Sequence, residues 1–63
     1  MVNLNTIKAE MARKHLTQKQ LANLLNISTS AMSMKMNSRL DFTIKELIAM
    51  SHEFQLTVND LLE

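Results

Sequence analysis

The chain has 63 residues, of which 46 % are hydrophobic and 21 % charged; Phe42 and Phe54 are its only aromatics, and glycine, proline and cysteine are absent. A length of this order holds one small domain with a modest core, which excludes multidomain enzymes, repeat solenoids and large active-site clefts. The net charge of +1 conceals a split: residues 1–40 carry six basic side chains against Glu10 alone, a balance of +5, whereas residues 41–63 set Lys45 against five acidic side chains, a balance of −4.

Such asymmetry points the first two thirds of the chain toward a polyanion. Without cysteine there is neither a disulfide framework nor a cysteine zinc site, and a reducing compartment is tolerated. The opening Met1-Val2-Asn3-Leu4-Asn5 is neither a basic leader nor an apolar run, and no stretch approaches a membrane span, so a cytoplasmic location is expected, with no membrane partner.

Because glycine and proline are missing, helix boundaries are read from capping residues. Asn3 or Asn5 caps a first helix reaching Lys14, with Leu4, Ile7 and Met11 on its apolar side. Thr17-Gln18-Lys19-Gln20 is a capping box opening a short second helix with Leu21, Ala22, Leu24 and Leu25. Asn26, well suited to a left-handed turn, is the pivot to a third helix that Ser28 caps and that runs through Ala31, Met32, Lys35 and Met36. Thr43-Ile44-Lys45-Glu46 is a second capping box, and Leu47, Ile48, Met50, Ser51 and Phe54 are expected on or near the inner side of the fourth helix. The Ser51 hydroxyl should bond back to that helix. Thr57 caps a fifth helix, Val58 to Leu62. No period-two alternation competes, so the expectation is an all-α fold, a compact bundle of about five short helices forming a single domain over residues 1–63.

No chemistry-bearing constellation accompanies these elements. His15 and His52 are far apart, no carboxylate stands at metal-ligand spacing from either, and a glycine-rich phosphate loop is impossible. No catalytic residue, metal, cofactor or small-molecule ligand is therefore expected. The stretch Thr17 to Asn37 carries the signal instead. Two capped helices joined by a tight turn at Asn26-Ile27 form a helix-turn-helix pattern, whose second helix enters the DNA major groove. Met32 and Met36 point inward, while Thr29, Ser30, Ser33 and Met34 lie opposite, with Asn37 one turn beyond Ser33. Those small, uncharged side chains allow close approach to base edges, and Met34 can pack on a thymine methyl.

The runs Leu16-Thr17-Gln18-Lys19-Gln20-Leu21-Ala22, Leu25-Asn26-Ile27-Ser28 and Ala31-Met32-Ser33 resemble the Cro-type, XRE-like helix-turn-helix family of phage repressors. The ending Phe54-Gln55-Leu56-Thr57-Val58-Asn59-Asp60-Leu61-Leu62 resembles that family's closing helix. Met32 to Asn37 with Asp41-Phe42-Thr43 is most similar to small Cro-like regulators from phages of Gram-positive bacteria. The resemblance implies a lambda-repressor-like DNA-binding fold with the helix-turn-helix in helices two and three. It also implies a repressor acting on double-stranded DNA in a bacterial host cell. Thr29, Ser30, Ser33 and Met34 match the base-reading positions. Thr17, Gln18 and Ser28 match phosphate contacts at the helix starts, Lys19 and Lys35 add attraction to the backbone, and Asn37, Ser38 and Arg39 match the loop that grips phosphate after the recognition helix.

Two departures from the family pattern have physical consequences. Positions where relatives often carry glycine are His15, Asn26, Ser38 and Gln55, and a left-handed backbone there costs about 1 kcal/mol or more apiece. Met11 and Met36 stand where many relatives pair Arg with Glu, a replacement that can be neutral or stabilising. The base-reading positions also lack Arg, Lys, Asn and Gln, so selectivity should draw on methyl packing, water bridges and groove shape.

The leading expectation is a Cro-like regulator bound to a pseudo-palindromic operator as a homodimer, with Phe54, Leu56, Val58 and Leu62 as possible dimer contacts. An alternative is a protein-interaction module of the same fold that modulates another repressor. A third is that the chain is the DNA-binding domain of a longer repressor.

Overall fold

A cap of Asn, Thr or Ser precedes each helix, because the first amides of a helix need acceptors that the helix cannot supply. In the computed structural model, which describes residues 1–63, four helices follow in order: α1 (Leu4–Arg13), α2 (Gln18–Leu25), α3 (Thr29–Met36) and α4 (Ile44–Phe54). Asn3 Oδ1 accepts from Thr6 N–H at 3.2 Å and Ser28 Oγ from Ala31 N–H at 3.0 Å. Thr17 with Gln20, and Thr43 with Glu46, form complete capping boxes, each side chain satisfying the other residue's amide.

All four helices end alike. His15, Asn26, Ser38 and Gln55 have φ of 57°, 60°, 62° and 57°, so the left-handed backbone considered from the sequence is present at every one of these positions. After each, an N–H reaches back five residues: Leu16 to Met11 O at 2.8 Å, Ile27 to Ala22 O at 3.0 Å, Arg39 to Met34 O at 2.8 Å and Leu56 to Ser51 O at 2.8 Å. The left-handed residues themselves bond three residues back, to Ala12, Asn23, Lys35 and His52. These are Schellman closures made without glycine. Three of the residues that follow, Leu16, Ile27 and Leu56, fold onto the core.

The fifth element is shorter than expected. In place of a helix over Val58 to Leu62 there is a single 3-10 turn at Asn59–Leu61. Thr57 and Asp60 cap one another at 2.9 and 3.2 Å. Leu62 is then extended, bridged antiparallel to Val2, while Asn3 N–H donates to Leu61 O and Glu63 N–H to Met1 O. Joining the two termini requires extended backbone, which ends the helical turn.

The core is Ile7, Leu21, Met32, Met50, Phe54 and Leu61, all fully buried, with Met11 and Met36 among the residues around them. Each fully buried apolar side chain of this size contributes about 1.5–3 kcal/mol, against the entropy of ordering the chain. α2 packs on α3 and α4, while the 3-10 turn packs on α1 and α4. The Ser51 hydroxyl donates to Ile48 O at 2.7 Å, as its place in a buried helical face requires. Ile48 itself, expected on or near the inner side, is 44 % exposed. Leu47, Met50, Ser51 and Phe54 already fill the inward arc, and Ile48 lies one step outside it, aligned with exposed Ile44. No helix is long and apolar enough to cross a membrane.

Candidate nucleic-acid interface

The α2–α3 unit is held by the three residues Asn26, Ile27 and Ser28, with Asn26 supplying the left-handed bend. Met32, Lys35 and Met36 form the buried side of α3. Ser30 and Met34 are exposed on the other side, Thr29 is exposed at the first turn, and Ser33 is half-buried. Eight residues make α3 about 12 Å long, close to the major-groove width of B-form DNA. Met34, 39 % exposed, is the one large apolar side chain on this surface.

At the start of α2, Thr17 Oγ1 accepts from Gln20 N–H at 3.1 Å and Thr17 N–H donates to Gln20 Oε1 at 2.9 Å. The amides of Gln18 and Lys19 make no backbone bond, and both side chains are exposed. The start of α3 is built the same way: Ser28 caps Ala31, and the Thr29 and Ser30 amides make no backbone bond. Free amides at a helix start, reinforced by its positive end, suit an anion. The hydroxyl hydrogens of Thr17 and Ser28 remain available to donate.

Two expected roles, those of Lys35 and Phe54, require correction, and a third residue, Asn37, is exposed but engaged within its own helix. Lys35, expected at a DNA phosphate, is only 8 % exposed, and its ammonium lies 2.5 Å from Glu46 Oε1 and 3.2 Å from Asp41 O. An ammonium enclosed in the fold with two acceptors of its own is not placed to serve a phosphate at the surface. Asn37 is expected there too, yet its Nδ2 donates to Ser33 O at 2.9 Å and reaches Ser33 Oγ at 3.4 Å, closing the last turn of α3. Its side-chain donors are thereby used within the helix. Phe54, among the possible dimer contacts, is fully buried, because α4 turns it directly into the core. Leu56, Val58 and Leu62 are half-buried against that core.

Ser38 and Arg39 remain exposed beyond α3. Within residues 1–40, Glu10 pairs with Arg13, whose guanidinium also reaches Phe54 O at 3.4 Å. Lys8, Lys14, Lys19 and Arg39 have no acidic partner, so the basic character of this part of the chain stays directed to solvent.

Glu46, which the sequence places only in a capping box, is also the partner of Lys35. Burial alone would raise its carboxyl, but hydrogen bonds from Lys35 and Thr43, with the Lys35 charge, outweigh that and hold it below its ordinary value of 4.5. A signal for the pair was available, since Lys35 stands three residues after Met32 and next to Met36, on the inward face of α3.

Comparison of the chain with protein-family models, with curated proteins and with solved structures finds no match.

Proposed function

We propose that the chain is a sequence-specific double-stranded DNA-binding transcriptional regulator of Cro type, which sets α3 in the major groove of an operator and binds as a dimer. The observation that carries this reading is the exposed, uncharged face of Thr29, Ser30 and Met34 on a capped helix of groove-spanning length, joined to α2 by a three-residue turn. Free amides at the starts of α2 and α3, with Lys19 and Arg39, are the phosphate contacts in this reading. Repression follows from occupancy, since a bound protein excludes polymerase from the same duplex.

The test is selection of bound duplexes from a randomised pool at moderate salt, followed by titration of binding against salt. Two inverted half-sites about one helical turn apart are expected, with affinity falling as salt rises. No enrichment and no salt dependence would remove the DNA reading.

A second reading, a protein-interaction module that modulates another repressor, draws on α4. Ile44 and Ile48 are 63 % and 44 % exposed and four residues apart, an apolar ridge that base reading by α3 does not use. In the same selection this reading gives no enriched sequence.

A further inference from the structure

We infer that Lys35 and Glu46 are positioning residues for base reading: their buried ion pair sets the angle at which α3 and the loop behind it meet DNA. The inference rests on the DNA-binding reading and extends it to two residues that touch no DNA.

The geometry is specific. α3 packs chiefly on α2, and its contact with α4 is supplied by a side-chain bridge rather than by close backbone packing. Lys35 leaves the last turn of α3 and places its ammonium 2.5 Å from Glu46 Oε1, in the first turn of α4. The same ammonium donates to Asp41 O at 3.2 Å and lies 5.7 Å from the centre of the Phe42 ring. The same carboxylate oxygen accepts from Thr43 N–H at 2.9 Å. One charge pair thus gathers the end of α3, the loop before α4 and the α4 cap. Ser38 and Arg39, the exposed phosphate candidates, lie on the loop so anchored.

A pair serving only stability would be poorly chosen for the purpose. Desolvating two ions offsets most of their attraction, and apolar replacements of similar volume are often as stable. What this pair supplies is a fixed position: one ammonium is held at once by Glu46 Oε1, Asp41 O and the Phe42 ring, which locks the end of α3 to the loop and to α4, whereas methylene packing tolerates sliding. On the opposite face of α3, Met34 and the small polar residues gain from a fixed approach, because short side chains cannot reach to correct a tilted helix.

The experiment compares the wild-type chain with K35M/E46Q and with K35R, each binding a selected duplex and a random duplex at one salt concentration. K35M/E46Q removes one charge of each sign and leaves the net charge unchanged, and the side-chain amide that E46Q introduces can still complete the box with Thr43. Thermal unfolding and amide exchange over Asn37–Phe42 are measured on the same samples. The expected result is a folded double variant with faster exchange in the loop, and with affinity for the selected duplex falling more than affinity for the random one, so that the selective-to-random ratio drops by about tenfold, the scale of one lost base contact. K35R, which keeps the cation opposite Glu46, should retain most of the wild-type ratio. An unchanged ratio in a folded double variant overturns the inference while leaving DNA binding intact. A double variant that does not fold also overturns it, since the pair would then hold the fold rather than aim the helix. If the wild-type chain selects no duplex, the DNA-binding reading falls first and this inference with it.

Discussion

Lys35 and Glu46, eleven positions apart in the chain, join α3 to α4 through a contact of 2.5 Å with both side chains almost fully enclosed. The Glu46 carboxyl is held below its ordinary value of 4.5, so the folded state binds its proton less readily than the unfolded chain. Its contribution to stability is complete above that value and is lost as pH falls through the lower, folded-state value. Thermal unfolding from neutral pH down to about pH 3 should therefore show a steeper loss for the wild type than for E46Q. Parallel curves for the two would mean that the pair is not formed in solution.

The left-handed helix ends are a second measurable feature. Replacing His15 or Gln55 by glycine should stabilise the fold by roughly 0.5–1 kcal/mol each, because the Cβ strain at φ near 57° is relieved. A domain of this size gains about 4–8 °C in Tm per kcal/mol. Glycine at Ala12, inside α1, should do the opposite by about 1 kcal/mol. A fall in Tm for both end variants would contradict the Schellman geometry.

Ser28 combines a cap with a proposed phosphate contact, and two substitutions separate them. Ser28→Ala removes the acceptor for Ala31 N–H and should cost about 1 kcal/mol. Ser28→Asp retains the cap and should unfold near the wild-type temperature, but it places a negative charge where DNA phosphate would lie. Its affinity should drop about tenfold or more on every duplex, and wild-type binding by this variant would move DNA away from the start of α3.

Met34 and Arg39 should differ in kind. Met34→Ala, at a position 39 % exposed and outside the core, should cost no more than about 1 kcal/mol of stability while weakening preference at one or two base pairs. Arg39→Ala and Gln18→Ala should weaken all duplexes alike, and the arginine variant should lower the salt slope by about 1. Equal losses across sequences for Met34→Ala would end its assignment as a base reader.

Much of this architecture is legible in short stretches of sequence. Asn3, Thr17, Ser28 and Thr43 are expected to cap helices and do so, since a cap and its amide lie three residues apart. The bend at Asn26 is legible in the same way, while those at His15, Ser38 and Gln55 are expected only through the family resemblance; all four close bonds spanning three to five residues. For the candidate interface, the exposure of Ser30 and Met34 follows from their spacing relative to Met32 and Met36, whereas Thr29 is exposed as the first residue of α3.

The departures from expectation share another cause. Lys35 reads as a free cation because its partner stands across a loop whose path no local pattern specifies. Ile48 lies at the margin of an amphipathic face, where burial depends on how much of the helix its neighbours cover. The fifth helix is cut to one turn because Leu62 pairs with Val2, at the other end of the chain. By itself, then, the sequence determined the four α-helices, their N-terminal caps and the outward placing of Ser30 and Met34, all set by hydrogen bonds and side-chain periods over a few residues. Only the tertiary structure decided which charge is spent inside, which isoleucines face solvent and how the termini close, because those outcomes depend on surfaces brought together from distant parts of the chain.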